Sequence, residues 1–226
     1  LLLRVERDPG RSSASWTPRA LGQHQSPQGG GTFHLCRQKR ILSLYRCMAA
    51  HEQERPWVFF YRNRDMIELK PGNISDIPLL WSLRTRAVRQ LCASHYSPEQ
   101  IEIWSQSPPP ESYLRLLATR CALIAEEDGQ WLGYGILDRQ SGEVIAVFVE
   151  PAAAGRGVGR RLMEGLEAMA VEERFARLYL YASLNAADFY RAMGFVAIRN
   201  DAYEHPSGIA LRSLYMEREM PASSVH

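Results

Sequence analysis

The chain has 226 residues, 46% of them hydrophobic, which is enough for one sizeable core and favours one domain over two. Its formal net charge of +2 is an average of unlike parts: residues 1–65 carry eleven Arg and Lys against five Asp and Glu, whereas residues 66–226 carry sixteen against twenty. An acidic body gives no support to a nucleic-acid surface, and no apolar run approaches the roughly 18 residues of a membrane helix.

The opening "LLLRVERDPG" meets Arg4 too early for a signal-peptide core. Cys36, Cys47, Cys92 and Cys121 are widely separated and show neither C-x-x-C nor a His/Cys metal spacing, so a reducing, cytoplasmic setting and no metal are expected. Residues 1–65 mix Pro, Gly, Ser and Arg without a helical or strand period, as in "RSSASWTPRALGQHQSPQGGG". They read as a disordered basic extension or upstream segment, with Met48 and Met66 both suitable as starts; a basic arm for an acidic partner is the functional alternative.

From Met66 the pattern is orderly, which sets a domain over 66–217 and a tail over 218–226. "MIELKPG" reads as a strand ended by Pro71 and Gly72. "SDIPLLWSLRTRAVRQLCA" is an amphipathic helix with Ser75 as its N-cap, and "SPEQIEIWSQ" is a second, with Ser97 capping, Pro98 at the first helical position and Gln100 completing a capping box. Pro108 to Pro110 end it, and "ESYLRLLAT" adds a third helical piece.

A strand "CALIAEE", the turn Asp128-Gly129 and a strand "QWLGYGILD" form a hairpin, followed by the strand "EVIAVFVE". A helix of about 16 residues is expected from Arg156, with Val158, Leu162, Leu166, Met169 and Ala170 on one face. "ARLYLYAS", "FVAIRN" and "IALRSLYMERE" complete seven strands, with the helix "NAADFYRAM" before the last two.

Gly155, Gly157 and Gly159 stand where a helix begins, although Gly is about 1 kcal/mol worse than Ala inside one. A helix leaves its first N–H groups without partners and carries positive partial charge there, so glycines between strand and helix let successive amides touch a bound phosphate. The spacing is also compatible with close packing alone. A Walker loop is excluded because there is no Lys after residue 70; the dinucleotide pattern G-x-G-x-x-G fails because Arg160 occupies its last Gly position.

These motifs resemble the GNAT superfamily of acetyl-CoA-dependent N-acyltransferases over residues 66 to about 217. The family's R/Q-x-x-G-x-G/A signature, entered from V-x-P, is matched by Val149-Glu150-Pro151, Gly157 and Gly159, with Ala154 departing at the first position. The family's later Asn and A-x-x-F-Y-x-x-x-G-F run is matched by Asn185, Phe189, Tyr190, Gly194 and Phe195. "HYSPEQI" is further similar to the YafP-like small bacterial subgroup.

The resemblance implies an α/β fold of GNAT type: a twisted mixed sheet of about seven strands flanked by helices, with the fourth and fifth splayed. It implies acetyl-CoA as cosubstrate, with the pantetheine arm paired to the backbone of Val147, Phe148 and Val149 and its amide bonded to Asn185. The diphosphate would meet Gly155, Arg156, Gly157, Val158, Gly159 and Arg160, through amides and the Arg156 or Arg160 guanidinium.

It implies transfer to a primary amine of a small molecule or peptide by direct attack in a ternary complex, with Tyr190 as general acid to the departing thiolate and Glu143 as base, Glu150 being a weaker candidate. Tyr190 also suits a core aromatic, Asn185 a helix cap, and Glu143 a solvated carboxylate. His95, Tyr96 and Trp104 are candidate acceptor contacts. No nucleic-acid or membrane partner is expected, a homodimer is left open, and the rival reading is an acyl-CoA-binding sensor with little turnover.

Overall fold

Period-two and period-3.6 patterns of the body become seven strands and five α-helices in the computed structural model, which describes residues 67–205 and 207–221. The extension expected over residues 1–65, and residues 222–226 of the expected tail, lie outside the described residues. In chain order the elements are β1 (Glu68–Pro71), α1 (Ile77–Leu91), α2 (Pro98–Gln106), α3 (Ser112–Ala118), β2 (Ala122–Glu127), β3 (Gln130–Asp138), β4 (Glu143–Val149), α4 (Val158–Glu172), β5 (Arg177–Ser183), α5 (Ala187–Ala192), β6 (Val196–Glu204) and β7 (Ala210–Glu219).

Local chemistry accounts for most boundaries. Ser97 Oγ accepts from the Gln100 amide at 3.2 Å while the Ser97 amide donates to Gln100 Oε1 at 2.9 Å, the reciprocal box that fixes the start of α2. Asp128 and Gly129 both adopt positive φ, 49° and 77°, as a two-residue hairpin turn between twisted strands requires.

Two expected starts are corrected. Ser75 lies inside a short 3-10 turn, Ile74–Asp76, whose entrance is held by the Asn73 amide donating to the Asp76 carboxylate at 2.8 Å. The helix expected from Arg156 begins at Val158, because Gly157 in the left-handed region cannot be its first turn.

The sheet order is β1-β2-β3-β4-β5-β7-β6, antiparallel throughout except for the β4–β5 pair. Strand alternation divides the core between its two faces. On one, α4 and α5 bury Leu162, Leu166 and Tyr190 against Val147, Leu178 and Leu180; on the other, α1, α2 and α3 bury Leu83, Trp104 and Leu116 against Tyr134, Phe148 and Leu211. β6 forms an edge of the sheet, with Val196 62% and Ile198 54% exposed, and the register slips at Ile198, between Ala197↔Met216 and Arg199↔Tyr215.

Close approach of α4 to the sheet relies on missing side chains. A Cβ on Gly133 would lie 2.6 Å from the Phe148 carbonyl oxygen and 3.1 Å from Val158 Cγ1, and backbone cannot retreat as a flexible side chain can. Gly133→Ala is therefore expected to lower stability by about 1–3 kcal/mol, seen as a reduced urea midpoint at unchanged m.

Candidate active site

β4 and β5 run parallel but share one register pair, Glu143↔Tyr179. A bulge at Ile145, where Ile136↔Ala146 is followed by Leu137↔Val144, bends β4 beside that pair. Past it the strands diverge. The Glu150 amide donates to the Leu132 carbonyl at 2.8 Å, so by alternation Phe148 also turns its backbone polar groups to β3, while Val147 and Val149 turn theirs to the wedge between β4 and β5. Of the three residues expected to offer backbone to a ligand arm, two face it. Phe148 is engaged by β3 and stacks its ring on Tyr134, with centroids 5.3 Å apart.

The chain leaves β4 through a 3-10 turn, Pro151–Ala153, and two glycines at positive φ, Gly155 at 81° and Gly157 at 85°. A Cβ at either would meet nothing within 4 Å, so their conformation and open surroundings, and not tight packing, call for glycine. The Arg156 amide donates to the Ala153 carbonyl at 3.3 Å, and the first helical bond runs from the Arg161 amide to Gly157 at 3.0 Å.

The amides of Val158, Gly159 and Arg160 thus stand at the head of α4 without intrahelical partners, where helix charge favours an anion. Gly159 is buried in that first turn. The two arginines differ: Arg156 is tied to Glu127, whereas Arg160 is exposed and has no ion pair among the described residues.

Asn185 lies in a 3-10 turn, Leu184–Ala186, after β5, and caps no helix. Its Oδ1 accepts from the Cys92 thiol at 3.4 Å, but its Nδ2 is buried without a partner; Ser213 Oγ on β7 is in the same condition. Such an orphan costs about 1–3 kcal/mol in a folded protein.

Tyr190 is 1% exposed and packs edge-on to Phe189 and Phe195 at 5.3 and 5.7 Å, so it serves as a core aromatic whatever its hydroxyl does. Glu143 is half-buried at the vertex of the wedge, facing Asp138 on β3 and Tyr179 on β5. It lies about 20 Å along β4 from Val149. Glu150 is forked by Arg86, with Nη2 at 2.8 Å and Nε at 3.0 Å, and is held as an ion-pair partner.

Of the expected acceptor contacts only His95 is exposed. Trp104 is 2% exposed, and Tyr96 uses its hydroxyl to bridge two segments, donating to the Arg212 carbonyl at 2.6 Å and accepting from the Leu184 amide at 3.0 Å. Burial pushes the Tyr96 hydroxyl and the Cys92 thiol well above their ordinary ranges, so both stay protonated at neutral pH. A protonated, buried thiol is a poor nucleophile.

Sequence reading missed Arg86 and Ser213. Arg86 had no signal, since its partner lies 64 positions away. Ser213 had one: the alternation of "IALRSLYMERE" places it on the same side as inward-facing Leu211, where a hydroxyl is out of character.

A splayed parallel pair beside a glycine turn and helix N-terminus, on this sheet order, is the architecture of an acyltransferase. The chain belongs to the GNAT acetyltransferase family: residues 92–211 match the model of the acetyltransferase (GNAT) domain. It is 27% identical over 138 residues to the uncharacterized N-acetyltransferase YafP of Escherichia coli K12, covering 61% of this chain and 87% of that protein.

Among solved structures it is similar to a GCN5-related N-acetyltransferase from Rhodopseudomonas palustris, with TM-score 0.57, 27% identity and coverage of 67% of this chain and 94% of the other. The fold is shared with the PaiA N-acetyltransferase of Thermoplasma acidophilum in complex with coenzyme A, at TM-score 0.54, 19% identity and coverage of 68% and 98%. It is shared also with YncA of Salmonella typhimurium with acetyl-CoA, at 0.52, 18%, 71% and 97%. Among the described residues no helix is long and apolar enough to cross a membrane, and no group of three or more His, Cys, Asp or Glu is placed to hold a metal ion.

Cys92 and Cys121 are both free and buried. Peptide mapping after treatment with a thiol reagent at pH 8 is expected to find both unmodified in native protein and modified once denaturant opens the core.

Proposed function

We propose that the protein is an acetyl-CoA-dependent N-acetyltransferase that acetylates a primary amine of a small molecule or peptide by direct attack in a ternary complex, with residues 66–217 as its catalytic domain. The observation that carries this reading is the wedge between β4 and β5 opening toward a positive-φ glycine turn and the uncovered amides of α4. Two proteins of the same fold hold coenzyme A or acetyl-CoA, and the donors here suit that molecule.

Val158, Gly159 and Arg160 amides, those of Gly155 and Gly157, and the Arg160 guanidinium would take the diphosphate. The backbone of Val147 and Val149 would pair with the pantetheine arm as an added strand does, and the orphaned Asn185 Nδ2 would donate to one of its carbonyl groups. When bound, acetyl-CoA supplies the activated acetyl group.

The remaining work belongs to side chains. Tyr190 would donate its proton to the departing thiolate, since a Tyr hydroxyl near pKa ~10 stays protonated at neutral pH and the thiolate of a thiol near ~8.5 is the base that forms as the thioester breaks. Glu143, at the vertex of the wedge, would take the proton of the attacking ammonium, directly or through water. Cys92 and Cys121 are buried and therefore poor nucleophiles, which favours direct attack over an acyl-enzyme formed on either of them.

Release of free thiol from acetyl-CoA against a panel of amines tests the reading: at least one amine should accelerate release. Tyr190→Phe, which keeps the aromatic packing, is expected to lower kcat by about 10²-fold or more while the thermal midpoint changes little. Release that no amine accelerates, with tight coenzyme A binding, would leave the sensor reading instead. Calorimetry should further show Arg160→Ala weakening coenzyme A binding by roughly tenfold and Arg156→Ala by much less.

A further inference from the structure

Two buried side-chain polar atoms lack a hydrogen-bond partner among the described residues, Asn185 Nδ2 and Ser213 Oγ, and both belong to the stretch where β5 ends beside β7. Ser213 is the ladder partner of Ser183, the last residue of β5, and Asn185 follows Ser183 by two positions. One phenol oxygen, that of Tyr96, bridges the Leu184 amide and the Arg212 carbonyl, the residues immediately before Asn185 and Ser213.

Both side chains belong to the same face of the sheet. Alternation along β7 aligns Ser213 with Leu211, which packs in the core beneath α1 and α2; Asn185 reaches the same side, because its Oδ1 accepts from Cys92 at the end of α1. β5 has already parted from β4 here, since their only register pair is at Tyr179.

Ser213 is 1% exposed, so solvent does not compensate its hydroxyl. Its cross-strand neighbour on β6, Asp201, could have accepted from it, but the Asp201 carboxylate is turned to the Ala202 amide at 2.7 Å and to Arg199 at 3.7 Å. A buried donor kept without a partner destabilises the fold, and a site that binds something is where such a group is tolerated.

Both atoms can donate, and two unpartnered donors on one face, where β5 has parted from β4, match an oxygen acceptor. We propose that Ser213, together with Asn185, forms a two-donor subsite for a carbonyl oxygen of the bound substrates, making Ser213 a specificity-determining residue. The oxygen is either the pantetheine carbonyl given above to Asn185 or, since the Asn185 amide carries two protons and can donate to a second oxygen, that of the acceptor beside its amine, as in an amino-acid amide or a peptide N-terminus. This inference rests on the acetyltransferase reading above.

Ser213→Ala tests it, with Ser213→Cys repeating each measurement with a side chain of the same shape that donates only weakly. Removing an unsatisfied hydroxyl should leave the ligand-free thermal midpoint equal to or above wild type, opposite to the loss of a structural hydrogen bond. If the oxygen is that of pantetheine, Kd for coenzyme A by calorimetry rises about tenfold. If it is that of the acceptor, Kd is unchanged and the kcat/KM preference for glycinamide over ethylamine falls about tenfold.

Folded variants with wild-type Kd and a wild-type preference ratio overturn the proposal while leaving the acetyltransferase reading intact. Wild-type protein that neither binds coenzyme A nor acetylates either amine overturns both.

Discussion

Everything at the site depends on β4 and β5 meeting once. A parallel pair that continued past Glu143↔Tyr179 would close the wedge and consume the backbone groups of Val147 and Val149 in a ladder. The bulge at Ile145 stands beside the parting. An extra residue in one strand strengthens local twist and interrupts pairing, so a single inserted position accounts for the turning of β4 away from its neighbour. Unused hydrogen-bonding capacity remains at Val147 and Val149, at the head of α4 and at Asn185 and Ser213, at the end of the sheet where β4 and β5 have parted.

The opening is framed by rigid parts. On one face α4 lies against strands that carry glycine where it crosses them, and a Cβ on Gly165 would reach Leu69 and Leu123 at 2.6 Å. Its axis, and with it the direction of its leading amides, is thereby set by contact with the sheet. On the other face Tyr96 ties the α1–α2 connection to both β7 and the turn after β5 through one hydroxyl, and Arg86 of α1 holds Glu150 at the exit of β4. Donors fixed in advance of binding lose less conformational freedom when the ligand arrives.

Much of this was legible in the sequence where a single residue type carries a backbone requirement. Asp128-Gly129, Ser97 with Gln100, and Gly155 and Gly157 each announce a local conformation, and all seven strands follow from alternation and turn signals. The Asn73 entrance to the 3-10 turn ahead of α1 was hidden because Ser75 is an equally good cap by type, and the choice was made by where Asp76 could reach.

Partnerships across the sheet were beyond reach. In sequence Glu150 reads as a weaker base or strand-end carboxylate and Asn185 as a ligand contact or helix cap; their partners Arg86 and Cys92 are not near in sequence. Tyr190 was recognised by motif, but its depth among Phe189 and Phe195 is a matter of packing that no motif records.

β6 shows how the same devices act away from chemistry. Its outward side ends the sheet with Val196 and Ile198 in solvent, a row that could template lateral growth by a strand from another molecule. The slipped register at Ile198 breaks the flatness such growth needs, and exposed Arg199 and Glu204 place charge along the approach. Straightening that kink, for example by deleting the extra position, would trade a protected border for a sticky one and shift the molecule toward fibrous association with no change at the wedge between β4 and β5.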